Sequence, residues 1–419
     1  MNDSTAIRTW LERRETQLLD LLEQLVVIES HAAHPAGVAA VAAVLVAELD
    51  PVGFSIEETA QRPIPPSQRW LEELFSPGVP YTDLGSTYSG LGPGASPGQL
   101  LLLGDLDTAF PFGSLSENPF RVENKRAYGP GIADMKGGLV VMVGALQVLH
   151  ALGIERPDVA LVLAGDEQAG SLGSRRVIEE IGQGADWCLC VECARGGGKL
   201  MSSRGHIGVG SLRVTGVEAH TGSARDSGVN ALETLSRLVL AFNGLSDPEF
   251  GVLVTVTLAR SGRRRSIVPA LAEAVVDIRT SSVESWEATT TRMRETATAE
   301  ADASRTKIDL QMHSHRPGVA QDEETDRMLE LAARIGSELN LEIDAIGSAA
   351  AGSSAFRDPG TATLDGLGPL GGGLMTTDEH IEIDSLVPRA ALLASLIHRL
   401  PQLPHRALAA SEARATAPD

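Results

Sequence analysis

Leu100-Leu101-Leu102-Leu103-Gly104-Asp105-Leu106-Asp107 is an unbroken apolar run that ends at a glycine and then delivers two acids. A strand reads this way when both of its faces are covered, as in a parallel sheet. Two further stretches repeat the design: Val159 to Ala164 runs into Gly165-Asp166-Glu167, and Cys188 to Val191 runs into Glu192. An apolar helix pattern, Gly138 to Leu152, lies between the first two. Buried strands alternating with helices predict an α/β domain with a mostly parallel central sheet, and such sheets carry functional groups just past the carboxyl ends of their strands. Asp105, Asp107, Asp166, Glu167 and Glu192 all fall at those ends.

Upstream, Thr9 to Val27 reads as an amphipathic helix and Gly37 to Leu49 as a second, with Pro51-Val52-Gly53-Phe54 ending it and opening a strand. Residues 61–97 are rich in Pro, Gly and Ser and hold Trp70, Phe75 and Tyr81. That is too long for a plain connector, so the stretch is either a lid-like loop or an insertion. From about Gly208 the texture changes. Val209 to Val214, Val252 to Thr257 and Ala272 to Ile278 alternate, while Asn230 to Phe242 and Ser285 to Ala303 are helical. This order predicts an inserted two-layer α+β domain with helices on one face of an antiparallel sheet. The expected division is 1–207 and 317–419 for the first domain and 208–316 for the insertion. The helices Glu323 to Leu339 and Val387 to Leu400 complete the first domain, and the tail beyond Pro404 reads as frayed.

Composition narrows the function. The chain of 419 residues is 43% hydrophobic with a formal charge of −20, a balance that suits a globular protein and excludes a nucleic-acid partner, which needs a basic stripe. Arg263-Arg264-Arg265 is read as a solvated turn. No apolar run is read as a membrane span and no leader is read at the N-terminus, so a cytoplasmic location and no membrane partner are expected. The only cysteines, Cys188, Cys190 and Cys193, lie together. They read as reduced and as buried filling, with a thiolate ligand or nucleophile as the sharper alternative.

Nine segments stand in an order with a familiar look. They begin with Gly104-Asp-Leu-Asp-Thr108, Gly129-Pro-Gly-Ile-Ala-Asp-Met-Lys-Gly-Gly138, Gly165-Asp-Glu-Gln-Ala-Gly-Ser-Leu-Gly-Ser174 and Val191-Glu-Cys193. They continue through Gly216-Val-Glu-Ala-His-Thr221, Gly228-Val-Asn-Ala231, Val268-Pro269, Asp277-Ile-Arg279, and Leu364 to Gly373 with Asp378-Glu379. In neighbours and spacing the chain resembles the zinc-dependent amidohydrolases and exopeptidases of the carboxypeptidase G, aminoacylase and succinyl-diaminopimelate desuccinylase kind, peptidase family M20. The resemblance covers nearly the whole chain. It implies a phosphorylase/hydrolase-like catalytic domain with an inserted lid or dimerisation domain, and a homodimer formed through that insertion.

Residue by residue, the resemblance makes Asp107 the orienter of a metal ligand, Asp134 a carboxylate bridging two zinc ions, Glu167 the general base and Glu192 a further ligand. His220 would steady an oxyanion, Arg279 would grip a substrate carboxylate through a bidentate contact, and Asn230 would sit beside that group. Three ligand positions depart from the pattern. Asp105 stands where a His is expected, Gln168 where a Glu is expected, and Met375 where the C-terminal His is expected. Ser266 replaces an expected Asn, and the usual Gly-Ser-Asp loop reads Gly352-Ser-Ser354. Zinc favours imidazole and thiolate donors, so this set should hold a zinc pair poorly. Asp105, Asp134 and Glu192 would repel one another without a positive partner. Together with the Gln168 carbonyl they could take one hard divalent ion, or equally a substrate ammonium or guanidinium group. His380 could serve as a displaced ligand.

The expected function is therefore that of an amidohydrolase- or carboxypeptidase-like enzyme acting on an amino-acid-like or N-acylated amino-acid substrate. It would work without a dinuclear zinc centre, with no cofactor or one divalent cation, and its chemistry could be biosynthetic acyl transfer, amide formation or proton transfer. Glu167, His220 and Asp107 are the candidate catalytic group, and Arg279, Asn230, Asp105 and Gln168 the candidate substrate contacts. Two alternatives stay open: a working metallohydrolase with a single non-standard metal, and a catalytically inactive binding or regulatory homologue.

Overall fold

The computed structural model describes residues 3–403. The chain divides into two compact units, one comprising the segments up to Ser203, Gln321–Gly347 and from Gly352 on, the other Arg204–Ala320 and Ser348–Ala351.

In the first unit six strands form a sheet in the order 55–59, 87–92, 158–164, 99–105, 187–190, 362–364. Strand 87–92 is antiparallel to both of its neighbours, and the remaining pairings are parallel. The expected mostly parallel sheet is thus present. Beyond the first residues of strands 99–105 and 158–164 its central strands are buried, because helices cover both faces, which is why their sequences show no alternation. Helix Gly137–Leu152 is buried on nearly all sides. It seats against strand 187–190 through Gly138, where an added Cβ would come within 1.8 Å of the Val191 carbonyl oxygen. That close approach brings the turn carrying Asp134 next to the segment carrying Glu192.

Two expectations need correction. The N-terminal segment is two helices, Asp3–Glu12 and Glu15–Val26, because Ile7 and Leu11 form one buried stripe and Leu18, Leu21, Leu22 and Leu25 another. Two helical stretches, Pro35–Val52 and Ile132–Leu152, are also as long and apolar as a membrane span. The second is 94% buried within its unit, as a core helix is, whereas the first is 33% buried and turns Val38, Val41, Leu45 and Leu49 into the same core. Residues 61–97 contain a short helix, Trp70–Phe75, and strand Thr87–Gly92.

The second unit is a four-stranded antiparallel sheet in the order 253–261, 271–280, 206–215, 307–316, with helices Ala231–Asn243 and Val283–Ser304 packed on it. Gly208 is required for that packing, since a Cβ there would meet the Trp286 ring at 1.8 Å. The edge strand Lys307–Arg316 was not legible in the sequence. Only Ile308, Leu310 and Met312 turn toward the core, and each is only partly buried.

Overpacking a seat of this kind costs roughly 1–3 kcal/mol. Gly138→Ala should therefore lower thermal stability by that amount, while Gly153→Ala, at a left-handed helix end with open space around it, should show only the smaller backbone strain. Equal losses in calorimetry would sink the seating argument.

Candidate active site

The site forms in the first unit where the central strands end. Asp107 is 1% exposed, and its two carboxylate oxygens accept the backbone N–H groups of Glu167 at 3.0 Å and Gln168 at 2.8 Å. It fixes the loop that carries Glu167. Asp166 secures the other side of the same loop, accepting from the backbone of Gly173 at 2.6 Å and Ser174 at 3.2 Å. Asp105 accepts the Ser353 hydroxyl on Oδ1 at 2.6 Å, while its buried Oδ2 meets no donor among the described residues.

Asp134 lies in the turn before helix Gly137–Leu152, joined to Met135 by a cis peptide bond. The backbone N–H groups of Ala133 and Asp134 both donate to Glu379 Oε1, at 2.8 and 3.1 Å, and Met375 N–H donates to Oε2 at 2.9 Å. Glu379 is fully buried and ties two segments of the site together. Gln168 Nε2 lies 3.5 Å from Asp134 Oδ2, so its amide faces that carboxylate.

These carboxylates disfavour one another's charge. Burial, reinforced by Glu167 and Glu192, holds Asp105 well above the usual carboxylate range. Burial and the charges of Glu167 and Asp166 do the same for Asp107 against the pull of its two backbone donors. Asp134 is raised by burial, Glu192, Glu167 and Glu379, with Arg195 acting in the opposite sense. The nearest buried lysine does not enter the group: Lys136 donates to the Ile28 carbonyl at 2.6 Å, and burial pulls it down to about 7. Among the described residues no three of His, Cys, Asp and Glu converge as a metal-binding set.

The other residues singled out in the sequence are placed as follows. Glu192 and Glu167 are 5% and 9% exposed. Met375 is 56% exposed, so its thioether is turned largely to solvent. His380 Nδ1 lies 2.8 Å from the Asp378 carbonyl, and its ring rests beside Tyr128. All three cysteines are free and buried. Burial pushes the Cys188 and Cys193 thiols up to about 12, the opposite of what a thiolate ligand or nucleophile needs. The second unit carries the remaining residues. There His220 is exposed, its Nδ1 accepting the backbone N–H groups of Gly222 and Ser223. Asn230 Oδ1 caps helix Ala231–Asn243, and Arg279 donates to Asp277 at 3.0 Å with both groups partly exposed.

Sequence reasoning assigned no role to Ser353, Lys136, Glu379 or His31. The first three lie inside quoted motifs, where a residue-by-residue question about buried polar partners would have found them. His31, which lies beside Gln168 in a cavity, carried no signal.

The model of peptidase family M20/M25/M40 matches residues 101–399. Carboxypeptidase G2 of Pseudomonas sp. (strain RS-16) is 30% identical over 387 residues, covering 91% of this chain and 88% of that protein. The chain belongs to the M20/M25/M40 peptidase family. Succinyl-diaminopimelate desuccinylase of Xanthomonas oryzae pv. oryzae (strain PXO99A) is 28% identical over 320 residues, 72% of this chain and 83% of that protein. Aminopeptidase PepT of Bacillus cereus ATCC 10987 shares the fold with a TM-score of 0.74 at 18% identity, over 92% of this chain and 98% of that one. The YXEP protein of Bacillus subtilis, described as a dinuclear metal binding peptidase, aligns with a TM-score of 0.67 at 13% identity, over 94% and 100%. The chain is accordingly an enzyme of the amidohydrolase and peptidase class for amino-acid derivatives.

A carboxyl group whose folded pKa is raised contributes stability that is present below its unfolded value and lost as pH rises through the folded value. Chelator-treated protein should thus lose thermal stability as pH rises above the ordinary carboxylate range. Asp105→Asn, whose amide oxygen can still accept from Ser353, should raise the melting temperature at pH 8 and leave it nearly unchanged at pH 5. A lower melting temperature at both pH values would contradict the mutual-repulsion account.

Proposed function

We propose that this enzyme acts on an N-acylated or similar amino-acid derivative bearing a carboxylate, and that it does so without a zinc pair. The observation that carries the reading is the division within one site. The position of the general base, Glu167, and the carboxylate that fixes its loop, Asp107, are intact, while the donors a zinc pair needs are not.

The donor chemistry does not fit that group. The ligand positions offer oxygen from Asp105, Asp134, Glu192 and Gln168 and a thioether, at Met375, that faces solvent. Neither imidazole is present, and zinc sites are built on nitrogen and sulfur donors with carboxylates as partners. Asp105 is also engaged by Ser353. These features support a site whose carboxyl groups meet a substrate amine or shared protons.

Within that reading Glu167 moves the proton, from a position fixed by backbone donation to Asp107, and contributes in the range of general acid–base catalysis. His220 steadies developing negative charge and Arg279 holds the substrate carboxylate, with Asn230 nearby. These three residues belong to the second unit, and the reading has that unit supply them within a homodimer formed through it. Acyl transfer, amide formation or proton transfer on an activated substrate places less demand on such a site than hydrolysis of a plain amide, for which water must be activated.

Turnover of a panel of N-acyl amino acids and their esters tests this. Activity should survive exhaustive chelation and fall about 100-fold or more in Glu167→Gln. Stoichiometric bound metal together with chelator-sensitive turnover would select a single-metal hydrolase instead. Turnover that Glu167→Gln leaves unchanged would overturn the role of Glu167, and absence of turnover in the wild type would select the binding homologue.

A further inference from the structure

Beside Gln168 the first unit contains a cavity of about 270 Å³ that none of the residues named above explains. Its lining joins His31 and Gln168 to Phe75, Ser76, Val79 and Leu84, which come from the long Pro- and Ser-rich segment between strands 55–59 and 87–92. That segment is built into the unit. Leu84 and Ala169 pack with Ala32 in a small apolar cluster that Val79 and Tyr81 join. Gly85 N–H donates to the Ala32 carbonyl at 2.8 Å, Ser76 Oγ donates to the Val79 carbonyl at 2.6 Å, and Arg62 donates to Glu180 at 2.8 Å. Phe75 lies against Gly170, where a Cβ would come within 2.8 Å of its ring.

The chemistry of the walls specifies the guest. They are apolar apart from Gln168, His31 and Ser76, whose hydroxyl is taken up by the Val79 carbonyl. Gln168 reaches toward Asp134. His31 Nδ1 accepts the Ala33 backbone N–H at 3.1 Å, so in the neutral ring the proton resides on Nε2, which becomes a donor. An apolar pocket with one donor, adjoining a group of acids, suits a flat or branched hydrophobic group attached to a carbonyl.

We infer that this pocket is the specificity subsite of the enzyme and takes the apolar acyl or aroyl group of the substrate, with its carbonyl oxygen accepting from His31. The inference deepens the proposed function and rests on it for the identity of the larger substrate, but the pocket can be probed without turnover. Phe75, Val79 and Leu84 set the size of the group accepted, and His31 selects a carbonyl over a plain hydrocarbon.

The probe is 4-fluorobenzamide, followed by fluorine NMR on the full-length protein, with 4-fluorotoluene as the carbonyl-free comparison. Wild type and Glu167→Gln should bind the amide alike. Val79→Trp, which fills the cavity, should weaken binding of both probes about tenfold or more, with folding checked by the melting temperature. His31→Phe should remove the preference for the amide while retaining 4-fluorotoluene. If neither probe binds wild type, or if both variants bind as wild type does, the subsite is overturned. If the probes behave as expected while no N-acyl amino acid is turned over, the subsite stands and the proposed reaction fails.

Discussion

Burying carboxylates side by side is the constraint around which the first unit is organised. Parallel strands covered on both faces bring Asp105, Asp107, Asp166, Glu167 and Glu192 to one end of a sheet, where water cannot screen them. Part of the burden falls on backbone amides. Asp107 and Asp166 hold the two sides of the Glu167 loop, and Glu379 holds the turn that carries Asp134. These contacts define the shape of the site before any ligand enters, and the backbone of Glu167 is held by the buried Asp107 carboxylate.

What such a group of acids does next depends on which positive partner it meets. In a zinc amidohydrolase the partner would be a pair of ions held by imidazole as well as carboxylate. Here the histidine positions hold an aspartate tied to Ser353 and a methionine turned outward. Asp107 meanwhile keeps both backbone donors of the Glu167 loop.

Much of this architecture is legible in the sequence, and the reasons are physical. Apolar runs ending in Gly-Asp or Gly-Asp-Glu mark strands buried on both faces, and helix Glu323–Leu339 follows from its amphipathic pattern between an Asp322 cap and a left-handed Asn340. The edge strand Lys307–Arg316 escapes because an edge needs only a thin apolar stripe. The break at Arg13-Arg14 escapes because two successive amphipathic helices share the periodicity of one. In the site, the strand-end acids are apparent, but Ser353 and His31 are not. A hydrogen bond spanning 248 positions and a cavity wall built by an irregular segment leave no local pattern to read.

In the function proposed above, this M20 fold works with acids where a zinc amidohydrolase holds a zinc pair. Anomalous diffraction at the zinc absorption edge, from crystals of the purified protein grown with zinc present, tests it most directly. The account predicts no paired zinc peaks among Asp105, Asp134, Gln168 and Glu192. Two strong peaks flanking a shared Asp134 carboxylate would contradict it.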